Sequence, residues 1–394
     1  MRSIGRAGWA SHGFFGATAQ TFGNPDGASS GGGAWTGVTN QGGDGAAAGL
    51  GAQQRDGGLN PNGPNQGGGP TPPPPGPSFT FRGVPSGNPI IALVNDGAGN
   101  TLFVDVEGKV FESTNGGHTW GQVGTIAGLL TSATSHVMLF NDGVVILAAD
   151  VHGTIADLYR STDFGAVWSL VTAPITTSSG AGAVALGVDP GSNNWVAASI
   201  NQSATPSSTV YAQSTNNGAS WTGTGNVTDI NGITAQFPIL WDGARWVLSS
   251  FDDSFNPLVW ISPDAGSWTQ ETTTNGMEFD TILFEAGTYF AVAPPNLTVS
   301  APSVASMVVT GPDVIGPLAT NTGFIQLMKI ASGWIAVNQQ GGGTSLAASS
   351  PDFATWTAVT TNMQSGESIL QGCYDSVNNS VIIGGDAGSI CTLP

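Results

Sequence analysis

The string S-x-[DN]-x-G-x-x-W constrains this chain more than any other feature, because it returns at a nearly fixed interval. It occurs as STNGGHTW (Ser113 to Trp120), STDFGAVW (Ser161 to Trp168) and STNNGASW (Ser214 to Trp221). Shortened copies follow as SPDAGSW from Ser262 and SPDFATW from Ser350, and GPDVIG from Gly311 reads as a worn copy that has lost its tryptophan. Successive starts lie 48, 53, 48, 49 and 39 residues apart. A period of that length marks a repeated supersecondary unit, not one compact sandwich. Glycine at 59 of 394 positions and only 9% charged residues argue for short strands and tight turns, against long amphipathic helices.

Strand-like segments flank every copy. GKVFES, DLYRS, TVYAQS, PLVWIS, ASMVVT and SLAASS lie upstream, and TWGQVG, VWSLVT, SWTGTG, SWTQET and TWTAVT downstream. A second family (NTLFVDV, GVVILAADV, NNWVAAS, ARWVLSS, GTYFAVA, SGWIAVN, NSVIIGG) appears seven times, and so does a third that precedes it, from PIIALVNDG to LQGCYDS. Four short strands per repeat, joined by Gly/Asn/Asp turns, describe one blade of a β-propeller. The outer strand type is one copy short, since the chain stops at Pro394 soon after GSICT. SFTFRGV at 78–84 has the alternation to supply it, and a ring of blades buries its end edges in that way. The expected fold is therefore all-β: a seven-bladed β-propeller over 78–394, closed by the strand at 78–84.

Residues 1–77 read differently. They hold 22 glycines and nine prolines, end in PTPPPPGP and follow neither strand nor helix periodicity. Such a segment buries too little apolar surface to offset about 1–2 kcal/mol of backbone entropy per residue. It reads as an extended docking arm and linker, with Phe14, Phe15, Phe22 and Trp35 as apolar anchors for other subunits of an assembly. Gly8, Ser11, His12 and Gly13 break every short apolar stretch near the start, so no secretory signal is expected.

The repeated turn resembles the Asp-box, or bacterial neuraminidase repeat, of a β-propeller superfamily that includes sialidases, other glycosidases, sortilin-type receptors and photosystem II assembly factors. The resemblance implies turn roles for Asn115, Asp163, Asn216, Asp264 and Asp352, whose side chains accept bonds from turn amides. Gly117, Gly165, Gly218 and Gly266 would supply positive φ, and Trp120, Trp168, Trp221, Trp268 and Trp356 would pack under the turn. Sialidases further resemble one another in an arginine triad, a Tyr–Glu pair and F/Y-R-I-P. Here the nearest string is FRGVP (Phe81 to Pro85), and the propeller holds only Arg82, Arg160 and Arg245.

Chemistry is correspondingly sparse. Asp252 with Asp253 and Glu278 with Asp280 are carboxylate pairs without distinguishing spacing. His118, His136 and His152 are scattered, so no metal is expected, and no cofactor fingerprint occurs. NDGAGN at 95–100 and DDSFNP at 252–257 read as turn chemistry before Ca²⁺ loops. Cys373 and Cys391 fall on the first and third strands of one blade, about 9–10 Å apart, beyond disulfide reach. Trp195, Trp241, Trp246, Trp260 and Trp334, on inner or second strands, should pack between blades, with one or two free at a strand end for a sugar.

The charge of −18 lies wholly on 78–394, where 23 acidic residues face five basic ones. That surface repels nucleic acid and anionic membranes. The expectation is a non-enzymatic structural or recognition propeller of a larger assembly, similar to a bacteriophage tail-tip or fibre component, located in the virion and binding neutral host-surface glycan. The alternatives are a sialidase-like glycoside hydrolase, secreted or at the cell surface, and a photosystem II assembly-factor-like propeller suggested by VIIGGDAGSI.

Overall fold

Alternating apolar residues between Gly/Asn/Asp turns produce seven antiparallel sheets among the described residues. The computed structural model describes residues 77–394 except 130–135, 153–154, 173–183, 190, 202–207, 229–238, 252–256, 272–278, 280, 294–296, 308–314, 319–323, 340–345 and 365. The arm anchors Phe14, Phe15, Phe22 and Trp35 lie outside the described residues, as do Asp252, Asp253, Glu278 and Asp280.

Blade 1 consists of strands Ile90–Asn95, Thr101–Asp105, Lys109–Ser113 and Gly121–Thr125. Blade 2 runs from His136–Asn141 through Ile146–His152 and Ile155–Ser161 to Ser169–Val171. Blade 3 follows with Val184–Asp189, Asn194–Asn201, Ser208–Ser214 and Thr222–Thr228. Blade 4 begins with the two-residue strand Leu240–Trp241 and ends at Thr269–Glu271. Blade 5 shows Thr281–Glu285, Thr288–Ala293 and Leu297–Ala301. Blade 6 spans Phe324–Ile330 to Thr357–Val359, and blade 7 contains Ile369–Asp375, Ser380–Gly385 and Ile390–Leu393. The first strand of each blade neighbours the first strand of the next, and the ring closes where blade 7 meets blade 1.

The fourth strand of blade 7 is Thr80–Gly83, antiparallel to Ile390–Leu393 with Phe81 opposite Cys391. Its entry is fixed as well. Phe79 is fully buried in the contact between blades 6 and 7, its amide donates to the Thr360 carbonyl at 2.7 Å, and Asn362 Nδ2 donates to its carbonyl.

Apolar burial follows a single plan. Seven clusters of buried side chains lie one at each blade contact, from Leu102, Val104, Leu139 and Ile146 between blades 1 and 2 to Ile90, Phe103, Ile382 and Ile390 between blades 7 and 1. The second strands supply more of these residues than any other strand position, and Thr101–Asp105 is buried throughout. Trp195, Trp246, Trp260 and Trp334 are buried in these clusters, and Trp241 is half-buried on Trp246. Trp260 belongs to the third strand Pro257–Ser262, which corrects its placement on an inner or second strand.

Blade 5 departs from the expected register. Its third strand is Leu297–Ala301 and not ASMVVT, whose first residues instead enter a 3₁₀ turn at Val304–Ser306. The turn after that strand is A-P-S-V-A-S-M (Ala301 to Met307), which matches SPDAGSW and SPDFATW position for position. Ser303 takes the place of the aspartate and accepts the Ser306 amide at 3.2 Å, while Met307, 2% exposed, takes the place of the tryptophan. The turn in the box position after the third strand is therefore 301–307, and Gly311 to Val314 of GPDVIG lie outside the described residues. A Pro-Asp pair is common turn chemistry wherever it occurs, whereas 301–307 is marked by the packing of Val304 and Met307 between blades 4 and 5.

Candidate functional site

The three long Asp-box turns share one hydrogen-bond scheme. A buried serine (Ser113, Ser161, Ser214) donates to Oδ1 of Asn115, Asp163 or Asn216 at 2.8–3.0 Å and accepts the amide of Gly117, Gly165 or Gly218 at 2.8–2.9 Å. The same Oδ1 accepts the amide of the residue before the tryptophan, at 2.9 Å for Val167. Each indole N–H donates to the carbonyl three residues back, as Trp120 does to Gly117 at 3.0 Å. Sequence reasoning assigned the serine no role, although it stands in all five complete copies.

The residue three before the tryptophan is a peg into the preceding blade. A Cβ on Gly165 would come within 2.8 Å of Leu102 in blade 1, and one on Gly117 within 2.9 Å of Thr392 in blade 7. In the shortened boxes this position is Ala265 (φ 60°) or Phe353 (φ 65°), so positive φ falls there and not on Gly266. The long boxes hold two consecutive left-handed residues, such as Phe164 and Gly165, and the shortened ones only the first, which there takes the place against the preceding blade that glycine has in the long boxes. Phe353 accordingly packs edge-on against Phe290 of blade 5, at 5.0 Å between ring centres.

Arg82, Arg160 and Arg245 lie on blades 7, 2 and 4, and each is engaged where it stands. Arg82 Nε donates to Thr392 Oγ1 at 2.7 Å, with its Nη2 3.3 Å from the ring of His118 in the blade 1 box. Arg160 Nε donates to the Asn217 carbonyl of the blade 3 box at 2.7 Å. Arg245 bridges Asp242 at 3.0 Å and the Tyr289 hydroxyl of blade 5 at 3.2 Å, and that hydroxyl donates to the same carboxylate. Burial raises the Asp242 carboxyl, but bonds from Tyr289, Arg245 and two turn amides outweigh it and hold the group below the usual carboxylate range. Burial first, and then the bond to Asp242, pushes Tyr289 up to about 12. This ionic tie between blades 4 and 5 was not read from the sequence.

Other candidates resolve into turn chemistry. Asp96 Oδ1 accepts the amides of Ala98 and Asn100 at 2.8 and 2.9 Å, and its Oδ2 accepts Asn100 Nδ2 at 2.6 Å. Cys373 and Cys391 are free thiols, both raised chiefly by burial. The side chains of His136 and His152 fall outside the described residues.

A cleft of about 250 Å³ opens between blades 1 and 2. Asp96 and Asn100 of blade 1, Asn141 and Val144 of the first hairpin of blade 2, and Asp163 and Phe164 of its Asp-box line it.

No protein-family model matches the sequence, and no curated protein matches it. Solved structures do. A GH74 enzyme from Niastella koreensis superposes with a TM-score of 0.55 at 15% identity, over 80% of this chain and 53% of that one. YCF48 bound to a D1 peptide gives 0.52 at 13% identity, over 80% and 96%. The GH74 xyloglucanase from Xanthomonas campestris gives 0.52 at 12%, over 80% and 53%. The chain thus spans about half of each GH74 enzyme and nearly all of YCF48, and at these identities the likeness is one of fold.

Proposed function

We propose that this protein is a non-enzymatic recognition and structural propeller of a larger assembly, a virion component of the tail-tip or fibre type, attached through residues 1–77 and reading neutral glycan. The observation that carries the binding half is the commitment of the three propeller arginines. Each bonds across or beside a blade contact, a peripheral role that does not favour gathering the three at one substrate carboxylate. The turn carboxylates are likewise engaged with backbone amides, and the acidic surface disfavours sialylated or phosphorylated ligands.

A glycan array combined with a fluorogenic glycosidase panel tests this reading. Selective binding of neutral glycans without turnover is expected. Turnover that disappears on replacing Arg82, Arg160 or Arg245 would establish the sialidase-like hydrolase instead. The assembly half is tested by a particle-level map, in which the chain should occupy a defined position; purification only as a free protein contradicts it.

A further inference from the structure

The Asp-box of blade 2 and its surroundings differ from the sister turns in three respects. In the boxes of blades 1, 3, 4 and 6 the outer atom of the Asp or Asn side chain is taken by a hydroxyl: Thr119 at 2.8 Å, Ser220 at 2.8 Å, Ser267 at 3.3 Å and Thr355 at 3.2 Å. Blade 2 has Val167 at that position, which supplies no hydroxyl, so among the described residues no side chain bonds to Asp163 Oδ2. Oδ1 meanwhile accepts both the Ser161 hydroxyl and the Val167 amide. The second difference is the setting of Phe164, at φ 53° where blades 1 and 3 place Gly116 and Asn217: blade 6 has Phe353 at the same step, at φ 65°, but buried against Phe290, whereas Phe164 is half-buried and lines the cleft. A non-glycine aromatic in the left-handed region is strained. The third is surface character. Val144, Val167 and Leu170, all of blade 2, are 60–70% exposed.

Asp163, Phe164 and Val144 all line the cleft between blades 1 and 2, with Asn100 and Asn141 beside them. From this geometry we infer that the cleft binds one neutral sugar unit, which donates a hydroxyl to Asp163 Oδ2 and lays its C–H face on Phe164 and Val144. Asn100 and Asn141 offer both donors and acceptors, as a ring of hydroxyls requires. An anion is disfavoured by Asp96 and Asp163 on two sides of the cleft. A guanidinium fits less well than a sugar, because a two-point contact needs both oxygens of one carboxylate. Asp163 presents one, and both oxygens of Asp96 are taken by its own turn.

This inference rests on the glycan-recognition reading and assigns it a site. The full chain is titrated, by NMR or calorimetry, with the methyl glycosides of glucose, galactose, mannose and N-acetylglucosamine. Val167→Thr is the informative variant, because it restores the hydroxyl the other boxes use and should leave the turn at least as stable. Binding of the preferred sugar should weaken about tenfold or more, the equivalent of one hydrogen bond to a charged group, while the melting temperature holds or rises. Phe164→Gly should also lose affinity while relieving the strained backbone. Sugar binding equal in wild type, Val167→Thr and Phe164→Gly overturns the site and leaves the glycan reading standing. No binding by the wild type to any of these sugars or to a neutral-glycan array removes both. Binding of an oligolysine peptide that Asp163→Asn abolishes, without sugar binding, shows a cation site in place of the sugar site.

Discussion

At the residue scale, two buried tyrosines with opposite hydrogen-bond fates separate packing from polar satisfaction. Tyr289 donates to Asp242 and accepts from Arg245, whereas the Tyr211 hydroxyl is buried without a partner among the described residues while its ring stacks on Trp268 at 4.6 Å. Tyr211→Phe keeps the stack and removes a desolvated hydroxyl, so it should be neutral or stabilising by about 1 kcal/mol; Tyr289→Phe should cost about 1–2 kcal/mol by leaving Asp242 short of a donor. Chemical denaturation of both variants decides, and the reverse order would refute the assignment. The box carboxylates give a pH signature. The Thr355 amide, then the Ala354 amide, hold Asp352 at about 2, and turn amides likewise lower Asp163 and Asp264. A depressed folded value contributes stability above the unfolded value of about 3.9, which is lost as pH falls toward about 2. Replacing all three with asparagine, the residue already present at 115 and 216, should flatten the decline of melting temperature between about pH 4 and pH 2. An unchanged slope would assign acid unfolding to other groups.

At the element scale, the Asp-box is both a hairpin clasp and a spacer between blades. Gly165→Ala combines a positive φ of 87° with a Cβ 2.8 Å from Leu102, so it should destabilise by about 1–3 kcal/mol. In blade 5, Ser303 caps the degenerate turn through the Ser306 amide. Ser303→Ala should cost about 1 kcal/mol, whereas Ser303→Asp, which rebuilds the P-D-x-x-S order of blade 4, should be tolerated. Equal melting temperatures for Ser303→Ala and wild type would show that Met307 and Val304 hold the turn alone.

At the scale of the whole molecule, stability depends on closure, since seven separate interfaces hold the ring. A chain beginning at residue 88 lacks Phe79 and the strand Thr80–Gly83, and so leaves Ile390–Leu393 as an unpaired edge. It should aggregate or melt well below a chain beginning at residue 76. Identical melting would mean that the closing strand contributes nothing. The chain beginning at residue 76 should in turn melt like the full protein yet fail to incorporate into particles if the arm is the attachment.

The sequence by itself determined the blade number, five of the six box-turn positions and a strand suited to close the ring. Each depends on local rules: period-two alternation, and an eight-residue turn whose donors and acceptors all lie within the turn. The tertiary structure decided what depends on neighbouring blades. The spacings of 49 then 39 residues around Gly311 fit a turn on either side of the extra chain, and only burial of Val304 and Met307 placed it at 301–307. Which residue packs on the preceding blade, glycine in the long boxes but Ala265 or Phe353 in the shortened ones, likewise shows only in the fold. The Asp242–Arg245–Tyr289 tie joins residues up to 47 apart, beyond any local pattern. Val167 reads as an unremarkable turn residue until the fold places Asp163, Phe164 and Val144 around one cleft, because a vacant acceptor has meaning only where three segments of chain converge.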